Sequence, residues 1–511
     1  MLLEMHCHTI EHSACSFVRA VDLVRQIYRN NVDGAIITDH HFLWSEEDLK
    51  SLKQAAEVPG FFVMLSGQEV TTSDHGDILV YGAEEAIARG ISLAGIRTRY
   101  PHAALVFAHP YRNGKKPGRD RLLNPLLDAV EIFSSNHSVS GNARGLRDWH
   151  RYKFTAIAGT DTHALSYAGL YPTHFDHPIQ RIEELADELK KGHCRPFFKE
   201  IPRAKAYVRI DEVTIGMTAS DETREKVIIK EFKDGDRWAS GERAFFIMKE
   251  IRRHGFAGGL YRVPKAIEND RNHMTLVEQG LRGNSLFERI IAADRDHARL
   301  FVRLSAQWLA RLHNRKLRIT PPEQFPEVEE RHFAKYLDHF QRVGHRNTDR
   351  VREIVEEVRK AETALLVKHA DKQVQVHGDY HPKNIYIGQD DPANPDTLFV
   401  AAIDFDNSYC LLPAFDVGTF LAQFRNQLID HPRIIKEVPE EVFVDAYLSS
   451  ARNVSPDFMS QIELFRARAD LSILSFLVQI GLGSSENLWR VLIEAERALA
   501  QFQVGAATEA P

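Results

Sequence analysis

The chain has 511 residues, of which 43% are hydrophobic and 27% charged, the balance of an ordinary folded protein. That length predicts roughly two or three domains and buries enough surface to need no disulfide or metal merely to hold a core. A formal charge of −6 is too near neutral for a general nucleic-acid or membrane-surface binder. Cys7, Cys15, Cys194 and Cys410 form no CxxC pair and no framework, which fits a reducing cytosol. The opening MLLEMHCHTIEH lacks a basic stretch followed by an apolar one, so no secretory signal is expected there. The most apolar run, Leu471 to Leu482, is broken by serines and a glutamine. It is too short to span a bilayer and reads as a buried helix. A cytoplasmic protein without a membrane partner is expected.

Fourteen of the 25 histidines fall in residues 1–200, which places a site there. LLEMHCHT reads as a strand on which His6 and His8 share a face while Leu3, Met5 and Cys7 take the other. GAIITDHH ends at Asp39 and His40, FFVMLSGQE at Glu69, and AALVFAHP at His109. DAVEIFSSNH carries Glu131 and His137, and FTAIAGTDTH ends at Asp161 and His163. Amphipathic stretches such as Phe17–Tyr28 and Glu46–Ala56 lie between these strands. The second follows Ser45, with Asp48 placed for a helix cap. Strands alternating with helices, each delivering polar residues at its carboxyl end, describe a (β/α) barrel with its site on that face. Mixed histidines and carboxylates suit Zn²⁺, Mn²⁺ or Fe²⁺. Two or three such ions would activate water and clamp both oxygens of a phosphate displacement, so hydrolysis of a phosphate ester is the expected chemistry.

The set HCH (6–8), TDHH (38–41), GQE (67–69), AHP (108–110) and GTDTH (159–163) resembles the polymerase-and-histidinol-phosphatase (PHP) superfamily of metal-dependent phosphoesterases, over roughly residues 1–197 of an expected 1–203 domain. The resemblance implies a distorted (β/α) barrel. It makes His6, His8, Asp39, His40, Glu69, His109, Asp161 and His163 metal ligands or their close partners. Where members often place a ligand histidine before an apolar strand, this chain has Asp77 before ILVYG, with His75 two residues earlier; His75 is taken as the ligand and Asp77 as its alternative. His12 and Ser13 stand where an acidic residue often follows the HxH pair. Glu131 is expected to orient a ligand from behind. The basic loop YRNGKKPGRDR (111–121) is a candidate grip on a substrate phosphate.

After about Pro202 histidine density falls and different signals begin. EKVIIKEF is a strand with Lys230 in an apolar setting, and GERAFFIMKEIRRHGF is a helix starting near Glu242. Leu300, Leu304, Trp308 and Leu312 share one stripe of a helix over 300–313. QVQVHGDYHPKNIYIG and TLFVAAIDFD hold Asp379, Asn384 and Asp404. Phosphoryl transfer from ATP needs a base for the acceptor hydroxyl, oxygen ligands for Mg²⁺ and a cation on the phosphates. Asp379 would be the base, Asn384 and Asp404 the Mg²⁺ ligands, and Lys230 the phosphate contact, paired with Glu242 in preference to Glu250.

HGDYHPKN (377–384) and IDFD (403–406), supported by ARLH (310–313) and PAFDVG (413–418), closely resemble the aminoglycoside phosphotransferase and choline kinase-like group. The resemblance implies a two-lobed protein-kinase-like domain over 204–511, the small lobe about 204–280 and the large lobe about 281–505. In that family the aspartate matching Asp416 supports the catalytic loop, and His377 and His381 are scaffold. No GxGxxG loop is present, only Gly216 in IGMTAS. The whole reads as a bifunctional α/β and α+β enzyme. Its partners would be a small-molecule phosphate ester, ATP with Mg²⁺ and a small-molecule phosphate acceptor. Two alternatives are a phosphoesterase regulated by a nucleotide-sensing kinase-like domain, and a metal nuclease or phosphatase acting on nucleic acid, against which the acidic balance argues.

Overall fold

The computed structural model describes residues 1–204, 208–215, 225–391, 394–452 and 454–508. Packing divides the chain into one compact unit of Met1–Glu231 with Val277–Gly280, and a second of Phe232–Leu276 with Leu281–Pro511.

The first unit begins with β1 (Leu2–Cys7), α1 (Ala20–Arg29), β2 (Gly34–Ile37), α2 (Glu46–Ala55) and β3 (Val63–Ser66). There follow β4 (Gln68–Thr71), β5 (Asp77–Tyr81), α3 (Leu93–Arg99), β6 (Ala104–Phe107), α4 (Arg119–Leu122), β7 (Ala129–Phe133), α5 (Val139–Tyr152) and β8 (Ala156–Ala158). β9 (Thr173–Phe175), α6 (Ile182–Lys191) and β10 (Cys194–Pro196) come next. The strands make two five-stranded sheets, ordered β10-β9-β1-β2-β3 and β4-β5-β6-β7-β8. β1, β2 and β3 are parallel, as are β6, β7 and β8, whereas β5 runs antiparallel to both neighbours. Single bridges, Cys7 to Thr162 and His40 to Glu69, join strand ends of one sheet to the other. Both bridges lie where the candidate ligands leave the strands. Leu3, Met5, Ile36, Leu79, Val106 and Ile157 pack one core between the sheets. A second core under α1 and α2 takes Leu23, Val24, Ile27 and Ile37. Ser45 caps α2 by accepting the Asp48 amide, as its spacing predicts.

β11 (Phe198–Ala204), β12 (Val208–Ile215) and β13 (Glu225–Phe232) follow. β11 and β12 pair antiparallel from Phe198↔Ile215 to Ala204↔Arg209, and the Phe198 ring sits edge-on to Phe133 and Trp149 of the first unit. Packing groups these strands, up to Glu231, with the residues before them.

The rest of the chain runs α7 (Gly235–Ile251), β14 (Tyr261–Arg262), β15 (Ala266–Asp270), β16 (Thr275–Gln279), β17 (Asn284–Ser285), α8 (Leu286–Ala292) and α9 (Arg295–Asn314). α10 (Gln324–Arg342), α11 (Thr348–Lys368), β18 (Val374–Gln375), β19 (Ile385–Gln389), β20 (Leu398–Ala402) and β21 (Cys410–Leu411) come next. α12 (Ala414–Gln427), α13 (Pro432–Glu437), α14 (Glu441–Ser450), α15 (Phe458–Gln479) and α16 (Glu486–Thr508) end it. The expected stripe of α9 delivers Trp308 and Leu312 to the core, joined by Phe420, Phe465 and Leu474. α15 buries Leu471, Ile473, Leu474, Leu477 and Val478 and stops before Gly481, whose φ is 82°. No helix among the described residues is long and apolar enough to cross a membrane.

Candidate functional site

β1 alternates as its sequence demands: Glu4, His6 and His8 face one way, and all three are fully buried. The Nε2 atoms of His6 and His8 lie 3.1 Å apart. Glu69 Oε2, from β4, is 3.2 Å from the first and 2.9 Å from the second, and Asp161 Oδ1 is 3.5 and 3.3 Å away. The four ligand atoms all fall within 4.8 Å of one another. The other oxygen of Glu69 is 2.8 Å from His109 Nε2, and Asp77 closes a second group with these two, its Oδ2 3.9 Å from that nitrogen. Glu69 thus spans both groups. His40 stacks on the His8 ring at 4.6 Å with Nδ1 3.5 Å from Glu69, and the His163 ring lies 5.3 Å from His8. Both stand at the partly exposed rim. His109 and Asp161 hold positive φ angles of 28° and 47°, sparsely populated backbone of the kind that clusters at functional sites.

The tautomers follow from the partners. Glu131 can only accept, so His6 Nδ1 donates to its Oε1 at 3.0 Å. Ser13 Oγ donates to Asp39 Oδ1 at 2.6 Å and therefore accepts the Nδ1 hydrogen of His8 at 3.2 Å. Both Nε2 lone pairs are thereby aimed at one point that two carboxylates also face. Four electron-rich atoms with no hydrogen between them fit a divalent cation, and the mixed nitrogen and oxygen set suits Zn²⁺, Mn²⁺ or Fe²⁺. Without one, protons must take that place. Burial disfavours a charged His6, yet Glu131, Asp161 and Glu69 hold its pKa well above the usual value, and His8 is likewise raised to about 9 by Asp161 and Glu69 against burial.

His75 requires correction. It sits within a turn closed by Thr72 and Gly76, its Nε2 lies 3.2 Å from the Arg121 carbonyl, and its ring packs on Phe107. Asp77 is the first residue of β5 and so enters the strand end where His109 stands. Asp39 is occupied otherwise, accepting from Thr9 N and Oγ1, Ser13 Oγ and Trp44 Nε1 at 2.6–2.9 Å. It sits behind His8 and acts on it through Ser13. Glu131 holds two candidate ligands at once, His6 through the ring and His109 through its amide at 2.7 Å. A Glu131→Gln variant is expected to lose about 10- to 100-fold in divalent-metal affinity, measured by competition with a chelator, because its amide must put a donor against one of those hydrogens.

Several supporting residues escape a reading by motif. Asn136 holds the Asp161 carboxylate at 2.5 Å. Glu4 accepts from the amides of His6, Thr160 and Gly169 and from Thr160 Oγ1. A Cβ on Gly159 would meet His6 Cβ at 2.5 Å and Glu131 Oε1 at 2.6 Å, so only glycine lets that pair close. Gly159 opens the GTDTH segment and Asn136 directly precedes His137, so each stands beside a residue that the sequence singles out. His137 is scaffold: neutral Nε2 accepts the Tyr111 amide at 3.3 Å and Nδ1 donates to Asn142 at 3.0 Å. Burial lowers its pKa to about 4, against Glu131. The unfolded chain therefore takes up a proton that the native state refuses. Stability tied to His137 should fall by about 3 kcal/mol as pH drops from 6.5 to about 4. Denaturant melts of wild type and His137→Asn over that window are expected to show the smaller loss in the variant.

In the second unit the strands β18 and β19 bracket the loop that carries Asp379. Asn384 Nδ2 donates to Asp379 Oδ2 at 3.2 Å and to its carbonyl at 3.1 Å. Burial would raise the Asp379 pKa, but His381, His377 and Asn384 together hold it below the ordinary carboxylate value. Asp416, fully buried near the start of α12, accepts the amides of His377 (2.7 Å) and Gly378 (2.8 Å) and lies 3.1 Å from His313 Nε2. His377 Nε2 donates to the Ile403 carbonyl, tying this loop to the strand before Asp404. Gly378 has φ 85°, and a Cβ there would sit 1.8 Å from the Asn407 carbonyl oxygen. Asp404 has φ 68°, and its partly exposed carboxylate has no hydrogen-bond partner among the described residues. The Ile403 amide donates to the Asn384 carbonyl at 3.0 Å, so the backbone just before Asp404 is tied to the end of the Asp379 loop.

The expected pairing of Lys230 with Glu242 requires correction. Lys230 Nζ lies 3.0 Å from Glu278 Oε1, on the strand β16 that neighbours β13. Glu242 accepts from Arg271 at 3.0–3.1 Å and from Asn269 at 3.1 Å, while Glu250 pairs with Arg253. The reason is where α7 begins. Asp234 caps it through the Arg237 amide, so Glu242 lies two turns inside the helix and not at its start. Gly216 lies outside the described residues.

The fold is thus a mixed α/β chain whose second unit carries the Asp379 loop held by Asp416. Residues 219–440 match the model of a phosphotransferase enzyme family, and residues 140–194 match a PHP-associated model. Among solved structures the chain is similar to an ethanolamine kinase of Plasmodium vivax, at 14% identity over 62% of this chain and 84% of the other, with a TM-score of 0.39. It is also similar to an aminoglycoside phosphotransferase of Streptomyces rimosus, at 16% identity over 52% and 92%, TM-score 0.35. A protein of Bifidobacterium adolescentis described as a metal-dependent phosphoesterase is matched at 14% identity over 33% and 88%, TM-score 0.26. No curated protein matches the sequence.

Proposed function

We propose that the chain is a bifunctional enzyme. Residues 1–203 would be a PHP-type phosphoesterase that hydrolyses a small phosphate ester, and residues 204–511 an aminoglycoside-phosphotransferase-like kinase that phosphorylates a small-molecule hydroxyl or amine. The observation that carries the first half is the convergence of His6, His8, Glu69 and Asp161, flanked by Glu69, Asp77 and His109. Two or three divalent ions held there would supply Lewis acidity and an activated water. Ser13 and Glu131 fix which imidazole nitrogens face the ions, and Glu69 places one oxygen in each group. Exposed Lys115 and Lys116, on the loop after His109, would meet the negative charge of the ester.

The second half is carried by the Asp379 loop and its hold on Asp416. Asp379, ionised at neutral pH, takes the proton of the acceptor hydroxyl as that oxygen bonds to the γ-phosphorus and ADP leaves. Asn384 and Asp404 would hold Mg²⁺ and so keep the triphosphate in line, with Lys230 as the phosphate contact.

Protein loaded with Mn²⁺, incubated with ATP, Mg²⁺ and a cell metabolite extract, and followed by mass spectrometry, tests both halves beside His8→Ala and Asp379→Asn. A phosphorylated species that disappears only in Asp379→Asn supports the kinase. A phosphate ester consumed only while His8 is present supports the phosphoesterase. If ATP stays intact in every sample, the kinase half of the proposal is wrong.

A further inference from the structure

A cavity of about 430 Å³ opens in the second unit between the end of α9, the turn into β18 and the start of α15. Its floor holds His313, Tyr447 and Phe458, each at most 5% exposed, with the Tyr447 and Phe458 rings parallel at 5.6 Å. Its rim holds Lys316, Lys372 and Arg452, all exposed. Their side chains make no hydrogen bond or ion pair among the described residues. Arg318, also on the lining, is spent on the carbonyls of Ala370, Asp371 and Gln373, and Asp371 is the one carboxylate among the described residues of the lining. Lys316 stands at φ 52° just past the end of α9, where glycine would cost less. A compact aromatic floor under an excess of unpaired positive charge, in a volume typical of ligand sites, matches a small organic anion.

The floor is also joined to the loop that carries Asp379. Tyr447 Oη lies 2.8 Å from His313 Nδ1, His313 Nε2 lies 3.1 Å from Asp416, and Asp416 accepts the amides of His377 and Gly378. Two side chains therefore separate the cavity from the backbone that positions Asp379.

We propose that this cavity is an effector site for a small phosphate- or carboxylate-bearing anion, which shifts the setting of the Asp379 loop through His313 and Asp416. Any effect on turnover rests on the kinase reading given above, whereas binding and coupling do not. The test is hydrogen exchange on the full chain after EDTA treatment, titrated separately with pyrophosphate and with citrate. Expected are saturable protection of 312–318 and 369–374 and an accompanying change at 376–380, which needs no turnover. Lys372→Glu and Arg452→Glu should each raise the half-saturating anion concentration by about fivefold or more, while Lys436→Glu, an exposed reversal on α13, leaves it unchanged. Protection by pyrophosphate alone assigns a phosphate ligand, and protection by citrate alone a carboxylate. No saturable protection by either anion, or equal weakening in all three variants, overturns the site. Protection at the cavity without any change at 376–380 overturns the coupling.

Discussion

An Asp379→Asn variant should transfer phosphate about 10²- to 10⁴-fold more slowly than wild type while binding ATP and Mg²⁺ with near-unchanged affinity. Asparagine keeps the shape of the side chain and an oxygen that can accept from Asn384 Nδ2. It loses the charge, and with it the capacity to take a proton from the acceptor. The surroundings of Asp379 keep its carboxyl ionised, as the proposed role requires. His381 and His377 hold the carboxyl ionised, and the loop is pinned by two amide bonds to Asp416 and one imidazole bond to Ile403. Asn384 and Asp404 remain in the variant, so the loss should fall on kcat and not on the KM for ATP. Initial rates by coupled ADP release, with nucleotide affinity by calorimetry, separate the two. Full turnover in the variant would remove Asp379 from the mechanism.

His8→Ala should cost more than removal of a supporting residue, that is, beyond about 10- to 100-fold in metal affinity, and take phosphoesterase activity with it. His8 Nε2 is within 3.3 Å of His6, Glu69 and Asp161, so its loss removes one of four converging donors and strands the Ser13–Asp39 pair behind it. Metal content by mass spectrometry after dialysis measures the effect apart from activity. The pH dependence has a definite sign. In the metal-free protein His8 holds its proton up to about pH 9, so a metal must displace it and binding releases protons. Apparent affinity should therefore rise with pH toward that value. A metal content and a hydrolysis rate equal to wild type in His8→Ala would refute the assignment.

Much of both sites was legible because strand geometry is local. Period-two alternation puts His6 and His8 on one face whatever surrounds β1, and apolar runs ending in Asp39, Glu69, His109 and Asp161 mark the strand ends. HGDYHPKN and IDFD are likewise short segments whose residues reach one another across a single loop. What failed was the choice of partner across elements. His75 and Asp77 differ by two residues in sequence, but one sits in a turn against Arg121 and the other at the first position of β5. Lys230 finds Glu278 because β16 is laid beside β13, a neighbour that no spacing announces. The choice of Glu242 depended on a helix start that a cap at Asp234 moved two turns earlier.

The sequence by itself determined the two residue sets at issue: a histidine and carboxylate set on strand ends, and a separate aspartate and asparagine loop followed by a second aspartate. These are fixed by residue type and by periodicities of two or a few residues. Only the tertiary structure decided that Asp39 is consumed by Thr9, Ser13 and Trp44, that Glu69 spans two donor groups, and that Gly159 leaves room for His6 to reach Glu131. The same holds for Phe198 of β11, whose ring meets Phe133 and Trp149 edge-on. Each of these depends on which buried polar group lies nearest to which, and burial makes that choice binding, since a donor or acceptor left without a partner costs about 1–3 kcal/mol. Proximity of that kind arises between elements far apart in the chain, where no local pattern records it.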